Sequence, residues 1–432
     1  MDLQRDETRA IGRLPMRALQ VPSSRSAGDA SRSTDEGLRM ETPAIRVRVV
    51  GPDEFAGHDR EWRDLAERAA VANVFMDPAV ATAVASSSRE PLRILLAWHE
   101  ADADHAAPFL VGVWLAALRP TRATWPLRGF VSPITPMAYL GTPVVDADHA
   151  ELVFLKFLEA LRWDRGLPRW IEIGDFSAGL LPDLRAAVAR LGMHEDVIGA
   201  RRRAELLPCD DPVRFWSATR SKAHIKQSER QRRKLGELGR VERTITGDAE
   251  RIAAEIDEFL ALESAGWKGA RGSALASRTE TARIVRWMVS GLAARGQVKI
   301  HALRLDGRPV AMSLLLTAGR EAFTWRIAYD EAFRRFSPGI LLLEDVTLDL
   351  LGDPTVRRTD SCNHRDTGFQ AERWTDRHDL IDVLLDVRSR SPGLLRLLAT
   401  RERALRRLLD RLRDARRLVK AHIAARRKGA GR

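Results

Sequence analysis

The sequence predicts an α/β (α+β) fold of two tandem lobes, with mixed, largely antiparallel sheets and a basic amphipathic helix at the C-terminus. Three observations carry this expectation. At 432 residues with 44% hydrophobic content, the chain is too long for one small core and apolar enough to bury two. Short apolar runs of period two alternate with longer stretches of helical period. One segment, 298–351, reads as three consecutive antiparallel strands followed at once by a helix.

Residues 1–44 are rich in Arg, Ser, Asp and Gly and hold no sustained period, so they read as a disordered tail. In "AIRVRVV", Ile45, Val47 and Val49 alternate with arginines, a strand signature. Helical signals follow at 54–70, and strand-like runs at 92–98 and 108–118. The stretch 125–145 holds four prolines and reads as a long irregular connection. A helix over 148–163, a strand over 168–176, a helix over 178–192 and a strand over 202–208 complete a first lobe, 45–210.

The second lobe, 211–390, opens with "SKAHIKQSERQRRKLGELGRV". Next, Asp248 can cap a helix whose Ile252, Ile256, Phe259 and Leu260 share one face. A further helix, carrying Ile284, Val285, Met288, Val289 and Leu292, stops at Gly296. Val298, Ile300 and Ala302 alternate with polar neighbours, Asp306-Gly307 is a hairpin signal, "VAMSLLL" is an apolar strand, and "TAGRE" is a second turn. Phe323, Trp325, Ile327 and Tyr329 share one face of the last strand, and Pro338 starts a helix over 337–351.

Residues 391–432 read as the basic helix, with Leu394, Leu398, Leu405, Leu408, Leu409 and Leu412 as an apolar stripe. This tail carries fourteen Lys/Arg against three acids, nearly all of the chain's net +12. The basic balance therefore describes the tail and argues little for nucleic-acid binding by the body. Two readings of the tail stay open: a helix packed on the body with a solvated basic face, or a peripheral membrane contact. No apolar run approaches membrane-spanning length, and Asp2, Arg5 and Asp6 do not suit a secretory signal. Cys209 and Cys362 are the two cysteines, which gives no disulfide framework and fits a reducing cytoplasm.

The junction "YDEAFRRFSPGILL" is the first candidate site. A strand ends near Asp330, Arg334 and Arg335 follow, and a helix begins at Ser337-Pro338-Gly339. Free amides of Ser337, Gly339 and Ile340, with the helix dipole, suit a diphosphate. Gly339 permits close backbone approach, and either arginine can add charge-assisted hydrogen bonds. A plain turn with surface arginines is the competing reading.

Several segments resemble the GCN5-related N-acetyltransferase (GNAT) superfamily, and within it the CelD-like group of cellulose and polysaccharide biosynthesis, related to Fem-type aminoacyltransferases. They are "RRKLGELGRV", "LESAGWKGARGSAL" (262–275), "LDGRPVAMSLLL", "AYDEAFRRFSPGILLLEDV" and "DSCNHRDTGFQAERWTDR" (360–377), together spanning about 215–380. The resemblance implies two GNAT-like halves side by side, the first degenerate because it shows no comparable phosphate loop. It also implies an acyl-CoA-dependent acyltransferase, with acetyl-CoA as donor and a sugar, polysaccharide or envelope-related acceptor attacking directly. The sequence departs from the family in two places. Arg335 and Gly339 lie four apart, a stretched phosphate-loop spacing, and Arg373 stands before Trp374 where Fem-type members usually have Lys.

Such a transfer needs a base near the acceptor and donors for the carbonyl oxygen. Asp360, at a strand end, is the first candidate base and His364 the second. Cys362, His364 and Asp366 on one short loop make a poor zinc set, and no metal is expected. Trp267 and Lys268 are assigned to the acceptor surface, with Tyr329 and Trp374. Lys222, Lys226, Arg230 and Lys234, spaced by four, form a stripe that is either a solvated face or the border of an anionic substrate site. An aminoacyl-tRNA donor, as in Fem-type enzymes, and a non-catalytic scaffold remain the alternatives.

Overall fold

A computed structural model describes residues 44–87, 90–102 and 105–429, with side chains up to Arg416. All of the expected disordered tail except Ala44 lies outside the described residues. In chain order the strands are β1 (Ile45–Val50), β2 (Leu92–His99), β3 (Phe109–Pro120), β4 (Arg128–Ser132), β5 (Val144–Val145), β6 (Trp170–Ser177), β7 (His194–Leu206), β8 (Val241–Thr246), β9 (Val298–Leu305), β10 (Arg308–Ala318), β11 (Glu321–Tyr329), β12 (Arg358–Asp360) and β13 (Asp376–Asp386). They form one 13-stranded sheet in the order β1-β2-β3-β4-β6-β13-β7-β12-β11-β10-β9-β8, with β5 beside β3.

That order is a palindrome. Exchanging β1, β2, β3, β4, β6 and β7 for β8 to β13 reproduces it in reverse. The two parallel pairs, β4 with β6 and β11 with β12, correspond, and each is bridged by a helix, Ala150–Trp163 or Pro338–Gly352. All other neighbours are antiparallel. The sequence contains no visible repeat, yet the topology repeats. The last strand of each half crosses over: β13 inserts between β6 and β7, and β7 pairs with β12.

The expected hairpin at Asp306-Gly307 is present, with φ of 48° and 80° at the two turn residues. Positive φ at both positions matches the twist of the flanking strands. In the next turn Gly319 has φ 49°, and a Cβ there would lie 2.2 Å from the Ala66 carbonyl oxygen. The tip of that hairpin therefore rests on the helix Asp59–Arg68 of the first half. Four strands depart from expectation. The proline-rich connection contains β4 and β5, β8 follows the basic helix where no strand was expected, and β13 was not anticipated, because Asp379 and Asp382 break its apolar run.

The helix Gly393–Gly429 packs on the body through its first turns. Leu395 and Ala399 are buried with Ala123, Trp170, Ile198 and Leu384. The seam differs from the leucine stripe read from sequence, since Leu394, Leu408 and Leu412 are exposed. Its continuation is polar. Glu402 is buried against Arg122 and Arg406, and Arg406 also reaches Asp382 on β13. Apolar contacts set the inward face of the first turns, and ion pairs with Arg122 and Asp382 continue it.

Candidate functional site

The helix Lys222–Gly236 lies against the start of the helix Pro338–Gly352. Ser221 caps the first of these, its hydroxyl accepting from the His224 amide. From it the Ser228 hydroxyl donates to Glu344 (2.7 Å), Gln231 Nε2 donates to Ser337 Oγ (3.0 Å), and Arg232 donates to Asp345 (2.9 Å). Beside the helix Lys222–Gly236 is a cavity of about 420 Å³ lined by Arg230, Gln231, Lys234, Glu237, Arg335 and Phe336, among others. Its size falls in the range of small-molecule sites, roughly 300–1,000 Å³. Two members of the basic stripe, Arg230 and Lys234, thus face the same space as Arg335. Lys222 and Lys226 are exposed further along the helix.

Ser337 has a left-handed backbone, φ 51° and ψ 48°. This conformation turns its carbonyl into the helix start, where it accepts from the Ile340 (2.9 Å) and Leu341 (3.1 Å) amides. The Ser337 amide donates to Arg334 O (3.1 Å). The expectation of several free amides is therefore corrected. Ser337 and Ile340 spend theirs within the chain, and Pro338 has none. Only the Gly339 amide meets no acceptor among the described residues. A Cβ on Gly339 would lie 3.3 Å from Tyr329 Cδ1, so the tyrosine ring covers this corner. Arg335 stacks over Phe336, 4.6 Å from the ring centre, and Arg334 is exposed outside the lining.

A second cluster joins the halves. Arg203 on β7 is fully buried and donates four ways: to Asp175 on β6 (2.8 Å), Asp360 on β12 (3.0 Å), Tyr139 O (2.7 Å) and Asn363 O (3.0 Å). Arg201, two residues earlier and on the same face of the strand, also reaches Asp175 (2.6 Å). The Asp360 carboxylate further accepts from the Cys362 amide (2.7 Å) and lies 3.8 Å from His378 Nδ1. Through Arg203 the loop bearing Tyr139 is tied to the loop bearing His364, whose ring centre lies 4.8 Å from that of Tyr139. The Arg326 guanidinium on β11 also lies over the Tyr139 ring, 5.4 Å from its centre.

This geometry corrects the leading role given to Asp360. Burial alone would raise its pKa, but the Arg203 guanidinium, His378 and the Cys362 amide outweigh burial and hold the carboxyl well below the usual range. A carboxylate stabilised that strongly, at 2% exposure, is a poor proton acceptor and a good counter-ion. His364 is different, for its ring is exposed. Partial desolvation lowers its pKa, opposed by Asp175 and reinforced by Arg203, Arg326 and Arg201.

Two acceptor-surface assignments also change. Trp374 is buried behind the helix Pro338–Gly352, its indole donating to Thr347 Oγ1 (3.2 Å), so it is core. Lys268 donates to Glu263 (2.8 Å) and Ile327 O (2.9 Å), which makes it an internal tie and not an open cation. Trp267 is 44% exposed, with Arg271 over its ring at 4.9 Å. Sequence reasoning missed Arg203 altogether. The available signal was "ARRRAEL", where adjacent arginines on both faces of one strand cannot all reach a single solvated side.

Residues 222–362 match the family model of an acetyltransferase (GNAT) domain. No curated protein matches the chain. Among solved structures, FemX aligns over 82% of this chain and 100% of its own, with 11% identity and a TM-score of 0.52. A tandem GNAT protein from the clavulanic acid biosynthesis pathway aligns over 80% of this chain and 99% of its own, with 14% identity and a TM-score of 0.41. A GCN5-related N-acetyltransferase from Kribbella flavida aligns over 71% and 92%, with 14% identity and a TM-score of 0.29. Residues 222–362 thus hold a GNAT acetyltransferase domain, which supports a GNAT-type acyltransferase, and the chain shares its mixed α/β fold with FemX. The CelD-like subgroup has no counterpart in these matches. Among the described residues, no helix is long and apolar enough to cross a membrane.

Proposed function

We propose that the chain is an acyl-CoA-dependent N- or O-acyltransferase, with acetyl-CoA as donor and a sugar, polysaccharide or envelope-related acceptor. The observation that supports this reading is the convergence of Arg230, Lys234 and Arg335 on one cavity, with the open Gly339 amide at the helix start that follows Arg335 and Phe336 in the chain. Those groups would hold the phosphates of the donor by charge-assisted hydrogen bonds at a positive helix end. When bound, the thioester supplies an activated acyl group. Tyr329, packed on Gly339, closes the corner on the β11 side.

His364 is the proposed base. Its lowered pKa leaves the ring neutral at physiological pH and able to accept the proton of an attacking amine or hydroxyl. Asp360 and Arg203 are positioning residues that hold the His364 and Tyr139 loops together. The segments 45–210 and 211–390 are proposed as a degenerate lobe and a catalytic lobe.

Acetyl-CoA is expected to raise the melting temperature of the purified chain, measured by thermal shift, while tRNA leaves it unchanged. A rise with aminoacyl-tRNA and none with acetyl-CoA would replace this reading with the Fem-like alternative, for which the exposed Lys222 and Lys226 offer a path. Silence toward both would leave a scaffold. For the base, His364→Gln is expected to lower kcat roughly 10²-fold with acetyl-CoA affinity unchanged. The acidic limb of the wild-type kcat/KM profile should fall below the ordinary imidazole value of about 6.5. A variant of full activity removes His364 from this role.

A further inference from the structure

The loop after β2 gathers imidazoles that the acyl-transfer reading does not use. His99, Asp102 and His105 each offer a ligand atom, and these atoms lie within 4.8 Å of one another. The His99 ring, at 3% side-chain exposure, stacks on Phe109 with ring centres 4.8 Å apart. Its Nδ1 donates to the Glu100 carbonyl at 2.7 Å. A carbonyl oxygen can only accept, so the ring proton is on Nδ1 and the neutral ring presents a lone pair at Nε2. That lone pair points at the Asp102 carboxylate, 3.5 Å away.

The Asp102 side chain is 39% exposed, and its carboxylate also accepts from the His105 amide at 2.7 Å. The accepting oxygen, not the one facing His99, lies 3.2 Å from His105 Nδ1, and the two imidazole centres are 5.5 Å apart. Protonating both rings would set two cations side by side. One divalent cation serves all three groups at once. The separations of 3.2 and 3.5 Å fall on the two different oxygens of Asp102, and with one atom from each residue the set lies within 4.8 Å, so small side-chain shifts would bring one oxygen and both imidazoles to an ion with bonds near 2.0–2.1 Å. The Nδ1–carbonyl hydrogen bond of His99 is the usual outer contact that orients a ligating imidazole. A third imidazole, His149, lies 5.4 Å from His99 at the start of the helix Ala150–Trp163, oriented by Asp146 at 3.2 Å.

We propose that His99, Asp102 and His105 form a binding site for a divalent transition metal. Two imidazoles and one carboxylate suit Zn²⁺, with Co²⁺ as a spectroscopic substitute, and do not suit Mg²⁺ or Ca²⁺. The ion pins the β2–β3 connection onto Phe109. This departs from the absence of metal expected from sequence, where the Cys362 loop was the only set weighed.

The test uses the full chain stripped with EDTA and titrated with Zn²⁺ alone, followed by calorimetry and by the visible absorption of the Co²⁺ form. One Zn²⁺ per chain is expected, with a rise in melting temperature. Asp102→Asn and His105→Ala each remove a partly exposed ligand without opening the core, and each should weaken Zn²⁺ binding at least about tenfold. His99→Ala should do the same but also removes a buried ring, so the two exposed variants decide. No uptake overturns the site, as does uptake that neither exposed variant weakens.

Discussion

Gly339→Asp is expected to weaken acetyl-CoA binding at least about 10³-fold, since like charges in contact cost several kcal/mol and each 1.4 kcal/mol is tenfold. Gly339 occupies the first turn of the helix Pro338–Gly352. A carboxylate there opposes the helix dipole favourably, so the helix itself keeps its stability. The donor phosphates are expected at the same place, and they lose. The added Cβ meets Tyr329 Cδ1 at 3.3 Å, a tight contact that the half-buried ring can relieve by a small shift. Gly339→Ala adds the same bulk without charge and should cost far less affinity. Isothermal titration of both variants, beside urea unfolding to confirm the fold, separates the two terms. Unchanged affinity in Gly339→Asp would remove this corner from the donor site.

Arg203→Met is expected to destabilise the fold by about 3–5 kcal/mol, the range for breaking one member of a buried ion cluster. It strands Asp175 and Asp360 and leaves the Tyr139 and Asn363 carbonyls without their donor. The pH dependence makes the cause visible. In the wild type, Asp360 is held below its ordinary value. Its contribution is therefore complete above the unfolded pKa of about 3.9 and lost as pH falls toward the folded value. In the variant the Arg203 counter-charge is gone and burial weighs more, so the Asp360 carboxyl binds a proton more readily folded than unfolded. Stability of Arg203→Met should then rise as pH is lowered from neutrality toward 5, opposite in sign to the Asp360 contribution. Urea midpoints across that range test the sign. A variant with wild-type midpoints would show that Arg203 is dispensable.

Much of the second half was legible because its signals are local. The capped helices, the Asp306-Gly307 turn and the helix after Ser337 each declare themselves within a few residues. The site was legible only in outline. The strand-loop-helix junction before Gly339 followed from the sequence, and the spacing by four put the basic stripe on one helix face, of which Arg230 and Lys234 line the cavity with Arg335. Which amides stay open did not, because that depends on the left-handed turn at Ser337. Residue type also misled. Trp374 and Lys268 look like binding residues in sequence, yet one is core and the other an internal tie. Arg203 shows the limit most plainly, since its partner Asp360 lies 157 positions away. One sequence shows that an arginine sits in a strand, not which distant carboxylate neutralises it. β13 was hidden for a related reason: the aspartates that interrupt its apolar run find their cations on β7 and the C-terminal helix.

The crossed strands bear on synthesis. β13 ends at Asp386 and fills the gap between β6 and β7, which were made some two hundred residues earlier. Until that late strand emerges from the ribosome, the leading half holds a hydrogen-bonding edge with nothing to complete it. A nascent chain in that state is sticky, and its final closure must wait for a partner arriving last. Chains cut short before β13 should therefore aggregate and not yield a stable leading half.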